Sequence, residues 1–158
     1  MGKTYQGRFD ARGRRIALVA SRFNEFFTRE LLAGAQDCLS RHGVADSQID
    51  VAWVPGSFEL PLAAQRLART GRYGAIICLG CLIQGDTSHF QYLAAEVTKG
   101  IAQVALDSGV PVVFGVITAE TLDQAIERAG TKAGNKGFDA ALTALETIDF
   151  YAAIDADQ

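Results

Sequence analysis

Apolar runs and helix-like spacings alternate along this chain. Four short stretches are dominated by continuous apolar positions, as in strands that are buried on both faces of a sheet, at 14–20, 49–54, 75–79 and 112–116. The stretches between them repeat apolar residues every three or four positions, which predicts helices within 27–41, 59–70, 88–104, 121–130 and 134–148. Because parallel strands need long crossover connections, this order predicts an α/β fold with a four-stranded parallel sheet and helices on both faces.

The length of 158 residues predicts a single domain that spans 1–158. Residues 1–13 are expected to form an N-terminal arm, with room for one additional strand, and residues 153–158 to form a loose tail. The sequence contains no internal repeat or low-complexity linker that would divide the chain.

Composition narrows the classes of function. Hydrophobic residues make up 49% of the chain and charged residues 21%, which excludes overall disorder. The net charge of −3 argues against nucleic acid as a partner, since nucleic acid selects a concentrated basic face. No apolar run reaches the roughly 20 residues of a membrane helix. An N-terminus without a secretory signal and an odd number of cysteines, three, predict a cytoplasmic protein with reduced thiols.

The carboxyl ends of the predicted strands are the expected ligand site, because open parallel sheets bind ligands at that edge. This rule selects the segments 21–24, 55–59, 80–89 and 114–118. Two of these segments carry an aromatic residue next to a polar one, and one carries one of the two histidines of the chain. Both features are unusual for simple connecting loops.

The predicted loop 80–87 suggests a phosphate site. Gly80 and Gly85 nearly fit the P-loop spacing, but Asp86 stands where that motif has Lys, and its carboxylate would repel a triphosphate. Gly85, Asp86 and Thr87 lead into a helix N-terminus, where free N–H groups and the helix dipole favour a single phosphate. An ordinary tight turn and helix cap is the alternative interpretation.

Two histidines and a Cys-x-x-Cys pair are the other candidates for chemistry. His89 lies in the first turn of the predicted third helix, where the positive helix end favours a neutral imidazole that can act as a general base; a structural histidine is the alternative. His42, at a helix C-terminus, is interpreted as structural. Cys78 lies inside an apolar strand, so Cys78 and Cys81 are interpreted as buried thiols, and no set of metal ligands is apparent.

A glycine-rich bend near the end of the chain has a cation on either side. Arg128 precedes Gly130 and Gly134, and Lys136 follows them. Both cations are expected to be able to reach an anion. The alternative is that they interact only with helix dipoles.

Five ordered motifs together resemble one enzyme family. They are Arg22-Phe23-Asn24, the segment 54–61 (VPGSFELP), the segment 85–90 (GDTSHF), Phe114-Gly115-Val116, and the pair 128–130 (RAG) with 134–137 (GNKG). In this order they resemble the 6,7-dimethyl-8-ribityllumazine synthase family of riboflavin biosynthesis, over nearly the whole chain from about Tyr5 to Tyr151.

The resemblance implies a flavodoxin-like three-layer α/β sandwich and a condensation reaction. The family joins 5-amino-6-(D-ribitylamino)uracil to 3,4-dihydroxy-2-butanone 4-phosphate and releases phosphate and water. This is a transferase-class reaction that needs no metal and no organic cofactor.

The resemblance also implies a role for each matching residue. Phe23 resembles the platform that stacks on the pyrimidine, and His89 the proton-transfer residue. Residues that resemble the pyrimidine and ribityl shell are Asn24, Ser57, Phe58, Glu59, Cys81 and Ile83. Residues that resemble the phosphate site are Gly85, Asp86, Thr87 and Arg128. Phe114 and Lys136 resemble groups that a neighbouring subunit contributes.

A shared site implies a homo-oligomer. The resemblance implies pentamers, and the short turn after Arg128 resembles members that assemble into sixty-subunit icosahedral shells; riboflavin synthase is the protein partner that the resemblance allows.

Gln84 and Gln91 depart from the family pattern, which commonly has Arg and an acidic residue there. These departures bear on rate and pH optimum. A non-catalytic paralogue that binds lumazine or flavin, or only builds a shell, stays open as the alternative.

Overall fold

The computed structural model describes residues 1–10, 13–85, 88–131 and 134–158. Four parallel strands form one sheet: β1 (Ile16–Ser21), β2 (Ile49–Val54), β3 (Ala75–Ile83) and β4 (Val112–Ala119). Their spatial order is β2-β1-β3-β4, so β2 and β4 are the edge strands. The predicted four-stranded parallel sheet is confirmed.

In the described part of the chain, five α-helices cover the two faces of this sheet: α1 (Glu25–Arg41), α2 (Leu60–Arg69), α3 (His89–Ser108), α4 (Leu122–Arg128) and α5 (Lys136–Asp155). One core cluster joins Leu18 of β1 to Leu31 of α1 and Leu145 of α5. A second cluster, on the opposite face, joins Val19 to α2 and α3. The three-layer α/β sandwich is therefore confirmed, with α1 and α5 on one face and α2 and α3 on the other.

Two strands extend further than their sequence pattern suggests. β3 continues through 80–83, which the sequence assigned to a loop, and β4 continues to Ala119 rather than ending at Val116. Gly80 is not a turn glycine: a Cβ at this position would lie 2.7 Å from the Ser57 hydroxyl oxygen. It is a small residue inside a strand, where the 57–59 segment approaches the sheet closely.

The N-terminus of α5 is fixed by Asn135. Its side-chain oxygen accepts a hydrogen bond from the Phe138 N–H at 3.0 Å, and its amide group donates to the Glu30 carbonyl at 2.9 Å. Two residues later, a Cβ on Gly137 would lie 2.0 Å from the Leu31 carbonyl oxygen. α5 therefore packs against α1 backbone to backbone.

The N-terminal arm lies along α5. Tyr5 donates its hydroxyl to Asp157 at 2.6 Å, Lys3 pairs with the same carboxylate at 2.9 Å, and the Arg8 N–H donates to Asp149. Residues 1–10 form no strand, so the additional N-terminal strand is not formed there. The extra strands are instead β5 (Ala129–Thr131) and β6 (Gly134–Asn135), which pair antiparallel.

No helix within the described ranges has both the length and the apolar character that crossing a membrane requires.

Candidate active site

The segment after β1 is bound directly to the end of β3. Asn24 adopts a left-handed conformation with φ of 60°, which asparagine tolerates better than most residues. Its side-chain amide donates to the Cys81 carbonyl at 2.7 Å. The neighbouring Phe23 leaves 68% of its surface exposed, so its ring is available for a planar ligand.

The segment after β2 approaches the same edge of the sheet. Ser57 is buried against Gly80, and Glu59 accepts a hydrogen bond from the Gly56 N–H at 3.0 Å, which stabilises the turn. Phe58 is 67% exposed. Phe58, Glu59 and Leu62 help to line an apolar cavity of about 420 Å³.

Cys81 and Ile83 belong to β3 rather than to a loop. The Cys81 side chain is fully buried, and its backbone carbonyl is the group that holds Asn24. Ile83 is half-buried and packs against the core on the α1 and α5 face. The Cys81 side chain therefore does not line an open site in this subunit.

The predicted phosphate loop connects β3 to α3. The Gln84 N–H donates to the Ala119 carbonyl at 2.9 Å, so pairing with β4 continues one residue beyond Ile83. Gly85 is exposed, and His89 is the exposed first residue of α3. Asp86 and Thr87 lie outside the described residues.

Arg128 is held beside this loop. It is the last residue of α4, and its guanidinium donates to the Thr118 carbonyl at 3.0 Å. Thr118 directly precedes Ala119, which accepts the Gln84 N–H. The structure therefore attaches Arg128 and the start of the phosphate loop to adjacent residues at the end of β4.

Phe114 and Lys136 contact each other, and Phe114 lies away from the carboxyl edge of the sheet. The Lys136 ammonium is 5.6 Å from the centroid of the Phe114 ring. Phe114 is paired with Cys78, five residues before the end of β4 at Ala119 and thus about 16 Å along the strand from it. Phe114 also borders a separate cavity of about 660 Å³ between α3, β4 and α5. One subunit therefore does not bring Phe114 to the carboxyl edge with Phe23 and Gly85.

The Cys-x-x-Cys pair is confirmed as two buried thiols. Cys78 and Cys81 are both free and both completely covered. Burial disfavours the thiolate and raises the pKa of each thiol to about 12. Within the described ranges, no cluster of three or more His, Cys, Asp or Glu residues is arranged to hold a metal ion.

Two features of this edge were missed in the sequence. The Thr118 carbonyl, which fixes Arg128, is a backbone group, so the pattern of side chains could not predict its role. Trp53 contacts Arg22 and Arg29, with each guanidinium carbon 5.3 Å from a Trp53 ring centroid. Two facts in the sequence could have drawn attention to Trp53: it is the only tryptophan in the chain, and it lies two residues before Pro55.

Comparison with known families gives one match over most of the chain. Residues 13–152 match the family model described as 6,7-dimethyl-8-ribityllumazine synthase. The matched range includes all four strands of the parallel sheet, the segments at their carboxyl ends, and the pair formed by Phe114 and Lys136.

Proposed function

Because the chain belongs to the 6,7-dimethyl-8-ribityllumazine synthase family, we propose that it condenses 5-amino-6-(D-ribitylamino)uracil with 3,4-dihydroxy-2-butanone 4-phosphate. The pyrimidine amine forms an imine with the ketone and releases water, phosphate is eliminated, and ring closure releases a second water molecule and gives the lumazine. Membership of this family implies a transferase-type enzyme. The three thiols that the chain contains are buried and free, as expected for an enzyme that functions in a reducing cytoplasm.

The pyrimidine is proposed to bind between the segments that follow β1 and β2. The exposed Phe23 ring supplies a stacking surface worth about 0.5–1.5 kcal/mol beyond burial. Asn24, Ser57, Phe58 and Glu59 surround the ribityl chain, whose hydroxyl groups require hydrogen-bond donors and acceptors. Ile83 and the backbone at Cys81 border this site from β3.

The phosphate of the ketone is proposed to bind at the start of α3. Residues 85–87 lead into α3 in the chain, and the N–H groups at the N-terminus of α3 favour an anion; Arg128 offers a planar fork that fits two phosphate oxygens. The tether between Arg128 and the Thr118 carbonyl is the observation that best supports this proposal, because it holds the guanidinium beside the loop before any ligand binds. Because that side chain is already ordered in the free protein, binding of the phosphate does not carry the entropic cost of ordering it.

His89 is proposed to move the protons. As the exposed first residue of α3, it lies two residues after the phosphate loop 85–87 in the chain. Imine formation, elimination and ring closure each require a proton to be removed from or returned to the reacting atoms. Holding two substrates together supplies the largest part of the rate, and proton transfer adds to it.

A second copy of the chain is proposed to complete the site. Phe114, whose ring the Lys136 ammonium contacts, lies about 16 Å down the edge strand from its carboxyl end, too far to serve the site of its own subunit. A cyclic arrangement, a pentamer, lets each subunit contribute this pair to its neighbour. Further assembly into a sixty-subunit shell and contact with riboflavin synthase extend the same proposal.

Absorbance of the product in a mixture of both substrates tests the proposed activity. A lumazine spectrum that grows only when both substrates are present supports it. A protein that binds the pyrimidine but forms no lumazine at any pH supports the alternative, a non-catalytic paralogue that binds lumazine or flavin or builds a shell.

A further inference from the structure

The segment that carries Phe23 is held by the strands on both sides of it. After the end of β1, the Arg22 N–H donates to the carbonyl of Val54, the last residue of β2, at 2.8 Å, and the Phe23 N–H donates to the Pro55 carbonyl at 3.0 Å. Asn24 binds the Cys81 carbonyl on the β3 side. The exposed Phe23 ring therefore sits on a backbone whose position depends on its neighbours.

A cluster of side chains beneath this segment links it to β2. Trp53 is half-buried on β2, and the guanidinium carbons of Arg22 and Arg29 each lie 5.3 Å from a Trp53 ring centroid. This distance is within the range of an attractive cation–π contact. Trp53 thus contacts the residue directly before Phe23.

Glu25 offsets the repulsion between the two arginines. Its carboxylate lies 2.7 Å from the Arg29 guanidinium and 3.9 Å from that of Arg22. Two cations near one ring would otherwise repel each other, so the carboxylate favours keeping both in place. The cluster of Arg22, Glu25, Arg29 and Trp53 keeps one excess positive charge, and it lies close to the site without forming part of it.

We infer that Trp53 is a positioning residue that acts through Arg22 to fix the pyrimidine platform Phe23. This inference rests on the proposed function. Two residues after Trp53 the chain enters the 55–59 segment, the other of the two segments between which the pyrimidine is proposed to bind. The ring affects affinity for the pyrimidine and has no role at the reacting atoms.

Calorimetric titration with 5-amino-6-(D-ribitylamino)uracil, in the absence of the ketone, measures this role. In Trp53→Leu the ring is removed and an apolar side chain is kept. We expect Kd to rise about 3- to 10-fold, the range expected for loss of a cation–π contact together with its packing. KM for the pyrimidine is expected to rise in parallel, with kcat changed much less. Trp53→Phe, which keeps an aromatic ring, is expected to restore most of the affinity.

Arg22 and Arg29 provide a matched pair of controls, since both lie at the same distance from Trp53. Arg22→Gln is expected to reproduce the effect of Trp53→Leu, and the double variant is expected to be no worse than either single one, because both changes break one contact. Arg29→Gln is expected to leave Kd unchanged, because Arg29 lies within α1 and away from Phe23. Arg22 and Arg29 are both exposed, at 60% and 63%, so these variants test the inference even where Trp53→Leu fails to fold.

An unchanged Kd in Arg22→Gln, additive effects in the double variant, or an equal loss in Arg29→Gln would each overturn the inference. The wild-type two-substrate assay separates this failure from failure of the proposed function. Lumazine formation by the wild type together with an unchanged Kd in the variants refutes the positioning role alone. A wild type that neither binds the pyrimidine nor forms lumazine refutes both.

Discussion

At the scale of single residues, Asn24 illustrates what a motif can and cannot predict. The sequence placed it beside Phe23 as a shell residue, which is a statement about chemistry. The structure adds that its amide donates to the Cys81 carbonyl and that its backbone is left-handed. A backbone carbonyl 57 residues away leaves no trace in the local sequence, so this link required the fold.

His89 is predicted to affect turnover more than binding. In His89→Ala we expect kcat to fall on the order of 10²-fold, the lower end for loss of a general acid or base, because water can replace part of its function. Affinity for the ribitylaminouracil is expected to stay nearly unchanged. Steady-state assays and calorimetry on one preparation separate the two effects.

His42→Ala is the matched control for this variant. The His42 ring lies 2.7 Å from the Cys38 carbonyl at the end of α1, so its replacement changes an end of a helix and not the site. Its kcat is expected to equal that of the parent. Equal kcat in His89→Ala and the parent would remove His89 from proton transfer.

Arg128 is predicted to bind the phosphate. In Arg128→Ala we expect Kd for inorganic phosphate to rise on the order of 10-fold or more, since hydrogen bonds to charged groups are worth about 1.5–3 kcal/mol. Arg128→Lys keeps the charge and loses the planar fork, so it is expected to recover affinity only in part. Calorimetry with phosphate measures both variants.

Arg41→Ala serves as a control, because Arg41 pairs with Asp37 at the far end of α1. It is expected to bind phosphate as the parent does. If Arg128→Ala matches Arg41→Ala, the tether at Thr118 serves the fold and not the phosphate.

At the scale of elements, the spacing of apolar residues predicted where the strands and helices lie, and close packing determined how long they are. β2 matches its predicted range because its apolar run ends at Pro55. β3 runs past Gly80 because that glycine lets the 57–59 segment approach, and sequence alone does not distinguish such a glycine from a turn. Asn135 shows the same limit of sequence-based prediction. Its hydrogen bond from the Phe138 N–H is a local helix cap, which sequence can predict, whereas its hydrogen bond to the Glu30 carbonyl depends on the tertiary fold.

Gly137 provides a test of helix packing. Helix propensity alone predicts that Gly137→Ala stabilises the protein by up to about 1 kcal/mol. The 2.0 Å approach of its would-be Cβ to the Leu31 carbonyl predicts the opposite, because backbone cannot move aside as a side chain can. We expect a net loss on the order of 1–3 kcal/mol in the free energy of unfolding. Urea titration measures it, and an unchanged or raised midpoint would contradict the packing described here.

Asp50 provides a test of the opposite end of the sheet. The Arg15 guanidinium donates to both carboxylate oxygens, at 2.9 and 3.0 Å, and the Tyr73 hydroxyl donates at 2.7 Å. The hydrogen bond from Arg15, followed by that from Tyr73, lowers the pKa of Asp50 below its usual value. Since the folded pKa is lowered, the carboxylate stabilises the fold above its unfolded pKa, and this stabilisation is lost as pH falls through the folded pKa.

The expected signature is a difference in Tm that depends on pH. Asp50→Asn is expected to melt below the parent at pH 7, by roughly 1–3 °C, since such partly exposed pairs contribute little. The difference is expected to shrink as pH falls below about 4, the ordinary range of Asp. Thermal melts across pH measure it. A difference that is constant between pH 7 and pH 3 would show that the ionised carboxylate does not account for it.

At the scale of the whole molecule, the candidate site residues fall into two groups. The first group lies at the carboxyl edge of the sheet and includes Asn24, Ser57 and Arg128. The second group is the contact between Phe114 and Lys136 beside the 660 Å³ cavity. The sequence alone carried both groups only as matches to family motifs. The fold separates them, and a second copy of the chain is the proposed means of joining them.

Lumazine formation by mixed assemblies tests this central claim most directly. His89→Ala alters the first group and Lys136→Ala the second. Each variant alone is expected to form little lumazine, whereas an assembly refolded from equal amounts of both is expected to recover about a quarter of the wild-type rate, since one neighbouring pair in four then forms an intact site. A mixture whose rate is only the average of the two separate variants, or a wild type that forms no lumazine from the two substrates, would contradict the account.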